Sequence, residues 1–327
     1  MSKFKWAIMG PGAIAHKFAE GLSVIEDAQL YAIGSRSLER AGAFAKKYNA
    51  AMFYGSYEEL VKDKDIDCVY ICTPHPMHID AALLCIDNGL NVLCEKPFAM
   101  NKKEARIMID AAQQKGVYIM EAHWTRFLPA IRKTISWIEE GKIGGVRMIH
   151  CDFSFRTEFD PESRLLSKEF GGGGLLDVGC YTLSIATMLF GREPKVITGV
   201  ADIGKTGVDE QAGMLLRYKG GQIAVLSCGV RTDTFHTLNI FGENGSISVS
   251  DFWCADSATL KVNNEDPVVF TEKKGNGYNY EAVAAMEDVR AGKLENCLIS
   301  HADTLAIAGL SDTLRAQWGL VYPSDGK

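Results

Sequence analysis

A chain of 327 residues exceeds what one hydrophobic core ordinarily fills, because single cores stop growing at about 250 to 300 residues, so two domains are expected. Hydrophobic residues at 47%, charged residues at 23% and a mean hydropathy of -0.03 argue against intrinsic disorder. A formal charge of -6 and a pI of about 5.7 offer no broad basic field, which argues against nucleic acid and anionic membranes as partners.

The first run, FKWAIM from residue 4, is a strand that begins at once, without the charged, apolar and small-residue order of a signal peptide. No run approaches about 18 uninterrupted apolar residues. The nine cysteines are scattered in apolar contexts, with no CxxC pair and no spacing that suits zinc, and read as reduced core residues. A cytoplasmic protein is the expectation, and no metal site is indicated.

Further strands are AQLYAIG, CVYICT, NVLCE and VYIMEA, with helices near 13–22, 37–48, 76–88 and 101–115 between them. Strand followed by helix, repeated, predicts a doubly wound parallel sheet with helices on both faces, over residues 1–122. The texture then changes. A helix near 126–140 and a strand near 146–156 lead to a GGGG loop at 171–174 and a helix near 175–190. Strands near 195–203, 212–219, 222–230, 235–241 and 246–251 follow, joined by short turns such as Lys219-Gly220-Gly221 and Gly242-Glu243-Asn244-Gly245. Helices near 279–292 and 302–317 close the chain. Residues 123–327 are thus expected to form an α+β domain with an open, mostly antiparallel sheet.

Gly10-Pro11-Gly12-Ala13-Ile14-Ala15 lies where the first strand meets the first helix, and gives GxGxxA in the setting of a dinucleotide fingerprint. Gly10 allows a tight turn, Gly12 lets the backbone approach a pyrophosphate, and the amides of Ala13 and Ile14 open the helix toward phosphate. Choice between NAD and NADP falls at the end of AQLYAIG. The sequence there is Gly34-Ser35-Arg36-Ser37, without the carboxylate that would hold a ribose 2′-hydroxyl. Ser35 and Arg36 suit a 2′-phosphate, with Arg40 one turn further on, so NADP is preferred and NAD stays possible.

Two clusters lie at carboxyl ends of strands, where open α/β sheets place ligands. Glu95-Lys96-Pro97 lies at the end of NVLCE, and a lysine there is a site candidate rather than a solvated one. Thr73-Pro74-His75-Pro76-Met77-His78 follows CVYIC on the same sheet edge. Thr73, Pro74, His78 and Glu95 are candidates for cofactor contact and His75 for substrate contact, although a histidine at a helix start serves capping or packing as often. Trp124 and Phe127 can wall an apolar substrate slot, with Phe153 or Phe155 facing it; core packing explains each equally well.

GPGAIA, CTPHPMH, CEKP and GGGGLLDVGCYT, in this order and spacing, resemble the glucose-fructose oxidoreductase and inositol dehydrogenase family (Gfo/Idh/MocA) over nearly the whole chain. YGSYEEL, VLCEKP, MEAHWTRFLPA, LLDVGCYTL and TGVDE are most similar to its dimeric dihydrodiol dehydrogenase branch, also described as D-xylose dehydrogenases. The resemblance implies that Lys96 stands near the nicotinamide and the reacting oxygen, that Pro97 follows a cis peptide bond, that Asp177 fills the family's acidic position and that Tyr181 is the acid/base. Many relatives carry histidine at that last position. The substrate implied is a polyol, sugar, sugar derivative or trans-dihydrodiol, and a homodimer is implied as well. The family also holds non-catalytic dinucleotide-binding sensors, against which the presence of Lys96, Asp177 and Tyr181 argues.

The residues support this trio independently. Asp177 and Tyr181 are four apart on one expected helix, hence on one face. A tyrosine that titrates near 10 gains from an ammonium, which favours its phenolate by roughly 1 to 3 units. In the strand from Ile223 to Val230 neither face is charged, so both are expected to be covered, one by the chain's own helices and the other by a second copy or by the helices near 279–292 and 302–317.

Overall fold

The computed structural model describes residues 3–326, so only the extreme ends of the two expected domains lie outside it. In chain order the elements are β1 (Phe4–Met9), α1 (Ala13–Leu22), β2 (Ala28–Gly34), α2 (Leu38–Tyr48), β3 (Met52–Tyr54), α3 (Tyr57–Leu60), β4 (Cys68–Ile71), α4 (His78–Asp87), β5 (Asn91–Glu95), α5 (Lys102–Lys115) and β6 (Ile119–Ala122). They continue with α6 (Pro129–Glu139), β7 (Val146–Ser154), α7 (Cys180–Phe190), β8 (Val196–Ile203), β9 (Asp209–Arg217), β10 (Ile223–Gly229), β11 (Leu238–Gly242), β12 (Gly245–Val249), β13 (Ser257–Val262), β14 (Val268–Thr271), α8 (Tyr278–Arg290) and α9 (His301–Trp318).

The first six strands form one parallel sheet in the order β3-β2-β1-β4-β5-β6. Strands covered on both faces need continuous apolar sequence, and CVYI and IMEA are buried at every position. Order reverses between β1 and β4, and this switch point is where a doubly wound sheet opens a ligand crevice. Local signals set the helix ends. Ser37 caps α2 by accepting the Arg40 N–H at 3.3 Å, and Asn49 closes it in the left-handed region with φ 56. The three-residue β3 was not among the expected strands, because it is an edge strand too short to show a pattern.

The other eight strands form the second sheet, in the order β14-β13-β12-β11-β7-β10-β9-β8. Its pairs are antiparallel except β7 with β10. Helices α6 and α7 pack on this sheet, α6 over β12, β13 and β14 and α7 over β7 and β10. Leu226, at 2% exposure, points under α7 with Ala224 and Cys228. Val225 and Ile223 point the other way and stay half-exposed, so the helices of this chain do not bury that face. Helix α8 lies against α1 instead.

Three expectations need correction. The helix near 126–140 begins at Pro129, because proline suits a first helical turn and the residues before it, Trp124–Phe127, form a 3-10 turn. The helix near 175–190 is divided, with Leu175–Gly179 in a π-helical turn and α7 starting at Cys180. Within Lys168–Phe190 an 18-residue window is apolar enough to cross a membrane by length and composition, with a mean hydropathy of 1.4, but 83% of that window is buried within the fold and serves as core. Seven cysteines are buried, whereas Cys254 is half-buried and Cys297 is exposed.

By its contacts the chain divides into two compact units. One comprises Met1–Ala99, Lys103–Trp124 and Lys274–Thr304, and the other Met100–Lys102, Thr125–Lys273 and Leu305–Lys327.

Candidate active site

In the first unit the turn after β1 has the shape of a phosphate cradle. Gly10 adopts φ +91, and a Cβ there would lie 3.0 Å from Thr73 Cγ2 and 3.2 Å from the Cys72 carbonyl oxygen, so only glycine fits. Around Gly12 there is space, since the nearest atom to an added Cβ would be the Gly10 carbonyl oxygen at 3.9 Å. Ala13 and Ile14 begin α1, whose cap makes no side-chain hydrogen bond and whose first turn carries no acid, so its amide end is open to an anion. Thr73 follows the end of β4 opposite this turn, and its buried Oγ1 has no hydrogen-bond partner among the described residues. A cradle kept clear of side chains, an uncapped helix start and an orphaned hydroxyl fit a dinucleotide.

At the end of β2, Ser35 is buried, with its N–H donating to the Tyr54 carbonyl at 3.1 Å and its Oγ accepting from the Ser37 N–H at 3.3 Å. Arg36 and Arg40 are exposed beside it. Both act on the Tyr57 phenol, whose pKa burial raises and the two guanidiniums pull back down.

Pro74 starts a 3-10 turn, His75–Met77, with His75 largely buried. His78 is 0% exposed. Its Nε2 lies 2.9 Å from the Thr73 carbonyl oxygen and its Nδ1 3.0 Å from that of Pro97, and burial lowers its pKa. With no surface of its own, this ring braces the loops that carry Thr73 and Pro97.

Lys96 is half-buried at the end of β5, and its peptide bond to Pro97 is cis. The Lys96 N–H donates to Glu95 Oε2 at 3.1 Å, while the Tyr70 hydroxyl donates to Glu95 Oε1. Glu95 therefore fixes the backbone that carries Lys96, from a position inside the sheet, and does not face outward. Tyr70 read only as a strand residue in the sequence. Trp124 is buried and stacks on Tyr278, with ring centroids 4.4 Å apart.

In the second unit, Asp177 stands in the π-helical turn and Tyr181 is the second residue of α7, both buried. The four-residue spacing thus crosses a change of helix type. Arg164 Nη1 donates to Asp177 Oδ1 at 2.8 Å, so a guanidinium from the long loop before the glycines holds the acid. Arg126 grips α7 from below, with Nε donating to Ser184 Oγ at 2.8 Å and Nη2 to the Ser184 carbonyl at 2.9 Å. The Phe153 ring meets Tyr181 edge-on at 5.3 Å and lies parallel to Trp253 at 5.1 Å, with His236 at 5.0 Å and Phe252 at 6.1 Å. Phe155 packs against the cluster of Met100, Leu166, Leu176, Val208, Val230, Leu320 and Tyr322. Phe153 thus stands beside Tyr181, and Phe155, half-buried, lies against that cluster. Arg164, Trp253 and His236 carry no motif and were not legible in the sequence.

A parallel sheet with a glycine cradle at its switch point, and a buried tyrosine and acid in a second unit, define an oxidoreductase built on an NAD-binding Rossmann domain. Residues 4–123 match the family model described as oxidoreductase family, NAD-binding Rossmann fold, and residues 131–248 match the GFO/IDH/MocA C-terminal domain. The chain is 37% identical to a trans-1,2-dihydrobenzene-1,2-diol dehydrogenase of Xenopus tropicalis, over 98% of this chain and 99% of the relative. It belongs to the Gfo/Idh/MocA family of oxidoreductases. Its fold is shared by a 3-ketoreductase from Actinomadura kijaniata in complex with NADP and TDP-benzene, with a TM-score of 0.87 at 21% identity over 96% of this chain and 98% of that one. A levoglucosan dehydrogenase in complex with NADH and levoglucosan superposes with a TM-score of 0.87 at 20% identity, over 97% and 98% of the two chains.

Proposed function

We propose that this oxidoreductase uses NADP(H) to interconvert a secondary alcohol and its carbonyl on a sugar, a sugar derivative or a trans-dihydrodiol, as a homodimer in the cytoplasm. The observation that carries the substrate class is the aromatic wall beside Tyr181. Phe153 and Trp253 present flat apolar rings next to a phenol, which suits the carbon face of a ring whose hydroxyls point to one side. The relative from Xenopus tropicalis is named for a cyclic trans-diol, which agrees with this reading.

In oxidation, the bound dinucleotide supplies the hydride acceptor. Tyr181 takes the hydroxyl proton as the C–H bond breaks, and in reduction it returns a proton to the carbonyl oxygen. Lys96, at the end of β5, supplies a positive charge to the dinucleotide's site in its own unit, and Asp177, held by Arg164, orients the substrate hydroxyls. Arg36 and Arg40, exposed beside Ser35 and only partly offset by Glu39 between them, support a 2′-phosphate and hence NADP. Glycerols, aldoses and trans-diols offered with NADP and with NAD, read at about 340 nm, test the assignment. Turnover of one cyclic substrate class with NADP is expected. Binding of the dinucleotide with no turnover across the panel would overturn it.

The half-exposed sheet face supports the dimer. Val225 is flanked in register by Leu215 on β9 and His150 on β7, and Leu215 lies beside Thr198 on β8, with Val200, at 76% exposure, next along that strand. A face this apolar and this open in one chain fits a two-fold contact between copies.

A further inference from the structure

The turn that leads into Asp177 is built around a carboxyl group that no step above uses. Asp209 begins β9 and is 0% exposed. Its Oδ2 accepts the Leu175 N–H at 2.6 Å, which is the first amide of the segment carrying Asp177 and Tyr181. Its Oδ1 has no hydrogen-bond partner among the described residues. The glycines beside it are shaped to the carboxyl group. Gly173 adopts φ +113, and a Cβ there would lie 2.3 Å from Asp209 Oδ1, while one on Gly174 would lie 3.4 Å from Oδ2. On the other side the Tyr322 hydroxyl donates to the Gly172 carbonyl at 2.5 Å, so the glycine turn is held from two directions within this unit.

We propose that Asp209 is a positioning residue, which fastens the turn 172–174 and the first amide of the following segment and thereby sets where Asp177 and Tyr181 stand. The inference rests on the roles given above to those two side chains. A charged acceptor on a helix start holds it more strongly than a neutral one, so the fastening depends on ionisation. Burial raises the Asp209 pKa from 3.8 to about 7, opposed by the Leu175 and Gly174 amides and by Arg315 of α9. The other titratable groups facing it are Tyr322, after α9, and Cys228 on β10, both of which its charge pushes further up. Arg315 is itself engaged by Asp312 and Asp325. The carboxyl group therefore gains charge from pH 6 to pH 8, and the segment is held tighter at the higher pH.

Hydrogen exchange of the intact enzyme, followed on peptides spanning 172–182 and corrected for intrinsic exchange chemistry, tests this without any substrate. In the wild type, protection of these amides is expected to fall about tenfold from pH 8 to pH 6, while peptides of β1 and β4 do not change. Asp209→Asn is expected to show the lower protection at both pH values. Equal protection at the two pH values in the wild type, or wild-type protection in Asp209→Asn at pH 8, overturns the inference. If Asp209→Asn does not fold, the wild-type comparison decides alone. The link to positioning is read in the reducing direction, where the substrate oxygen needs a proton and a phenol acting as the donor predicts no loss of rate at low pH. The wild-type kcat is expected to drop below pH 7 with an unchanged KM for the dinucleotide, and Asp209→Asn to be slow and flat. An unaltered kcat in a variant whose exchange has changed overturns the positioning role. Absence of turnover in every form defeats the proposed function and leaves the exchange result standing.

Discussion

Single residues carry the sharpest expectations. Arg36→Ala should erode the preference for NADP over NAD by roughly ten- to a hundredfold, the worth of one charge-assisted pair with a phosphate. Dissociation constants for the two dinucleotides check it, and an unchanged ratio refutes the role of Arg36. Tyr181→Phe should lower kcat by about 10² to 10⁴ with dinucleotide binding nearly intact, whereas Lys96→Met should lower both. Retention of more than about a tenth of the wild-type rate in Tyr181→Phe would pass the acid role to another residue. Glu281 gives a prediction of a different kind. It is 0% exposed, neither carboxylate oxygen has a hydrogen-bond partner among the described residues, and burial, then the charge of Glu95, push its pKa well above 4.5. The folded chain thus binds a proton that the unfolded chain has released. Stability contributed by this group is present below pH 4.5 and is lost as pH rises toward the folded value, by about 1.4 kcal/mol per pH unit. Urea unfolding from pH 5 to pH 7 should show a shallower decline in Glu281→Gln by that amount, and parallel curves would mean that Glu281 is ionised in the fold.

At the scale of elements, the segment from the glycine turn to α7 is where sequence pattern and structure part. GGGG at 171–174 read as a loop that allows close approach, and the approaching element is β9 through Asp209. Gly173→Ala adds a Cβ at φ +113 and 2.3 Å from Asp209 Oδ1. Strain of that kind costs about 1 to 3 kcal/mol, and the steric overlap adds to it. A loss of at least about 2 kcal/mol in unfolding free energy is expected, and a loss under about 0.5 kcal/mol would show that the turn relaxes freely. The π-helical turn of Leu175–Gly179 was not legible, because a π turn and an α turn have the same apolar composition and differ only in which carbonyl each amide reaches.

For the whole molecule the decisive strand is β10. Its two parities are equally apolar, so sequence left open which face is inside, and the structure puts Leu226 inward and Val225 outward. Val225→Glu should therefore give a folded monomer, and Leu226→Glu should unfold the second unit by burying a charge without a partner. Light scattering at micromolar concentration checks both. A wild-type mass near 35.8 kDa would defeat the dimer, and a dimeric Val225→Glu would move the interface elsewhere.

What the sequence determined by itself is whatever rests on local pattern. The parallel sheet followed from buried apolar runs alternating with helical periods, and the cradle followed from Gly10, whose turn no other residue tolerates, and from Gly12, which leaves space beside it. Lys96, Asp177 and Tyr181 were legible through motifs of fixed spacing. The tertiary structure alone decided which residues stand around them. Arg164 reaches Asp177 across 13 positions, Asp209 reaches Leu175 across 34, and Phe153 and Trp253 come together from strands and turns that are far apart in the chain. Contacts between distant positions leave no period in a sequence, because they arise from how packed elements meet and not from the preference of any one segment.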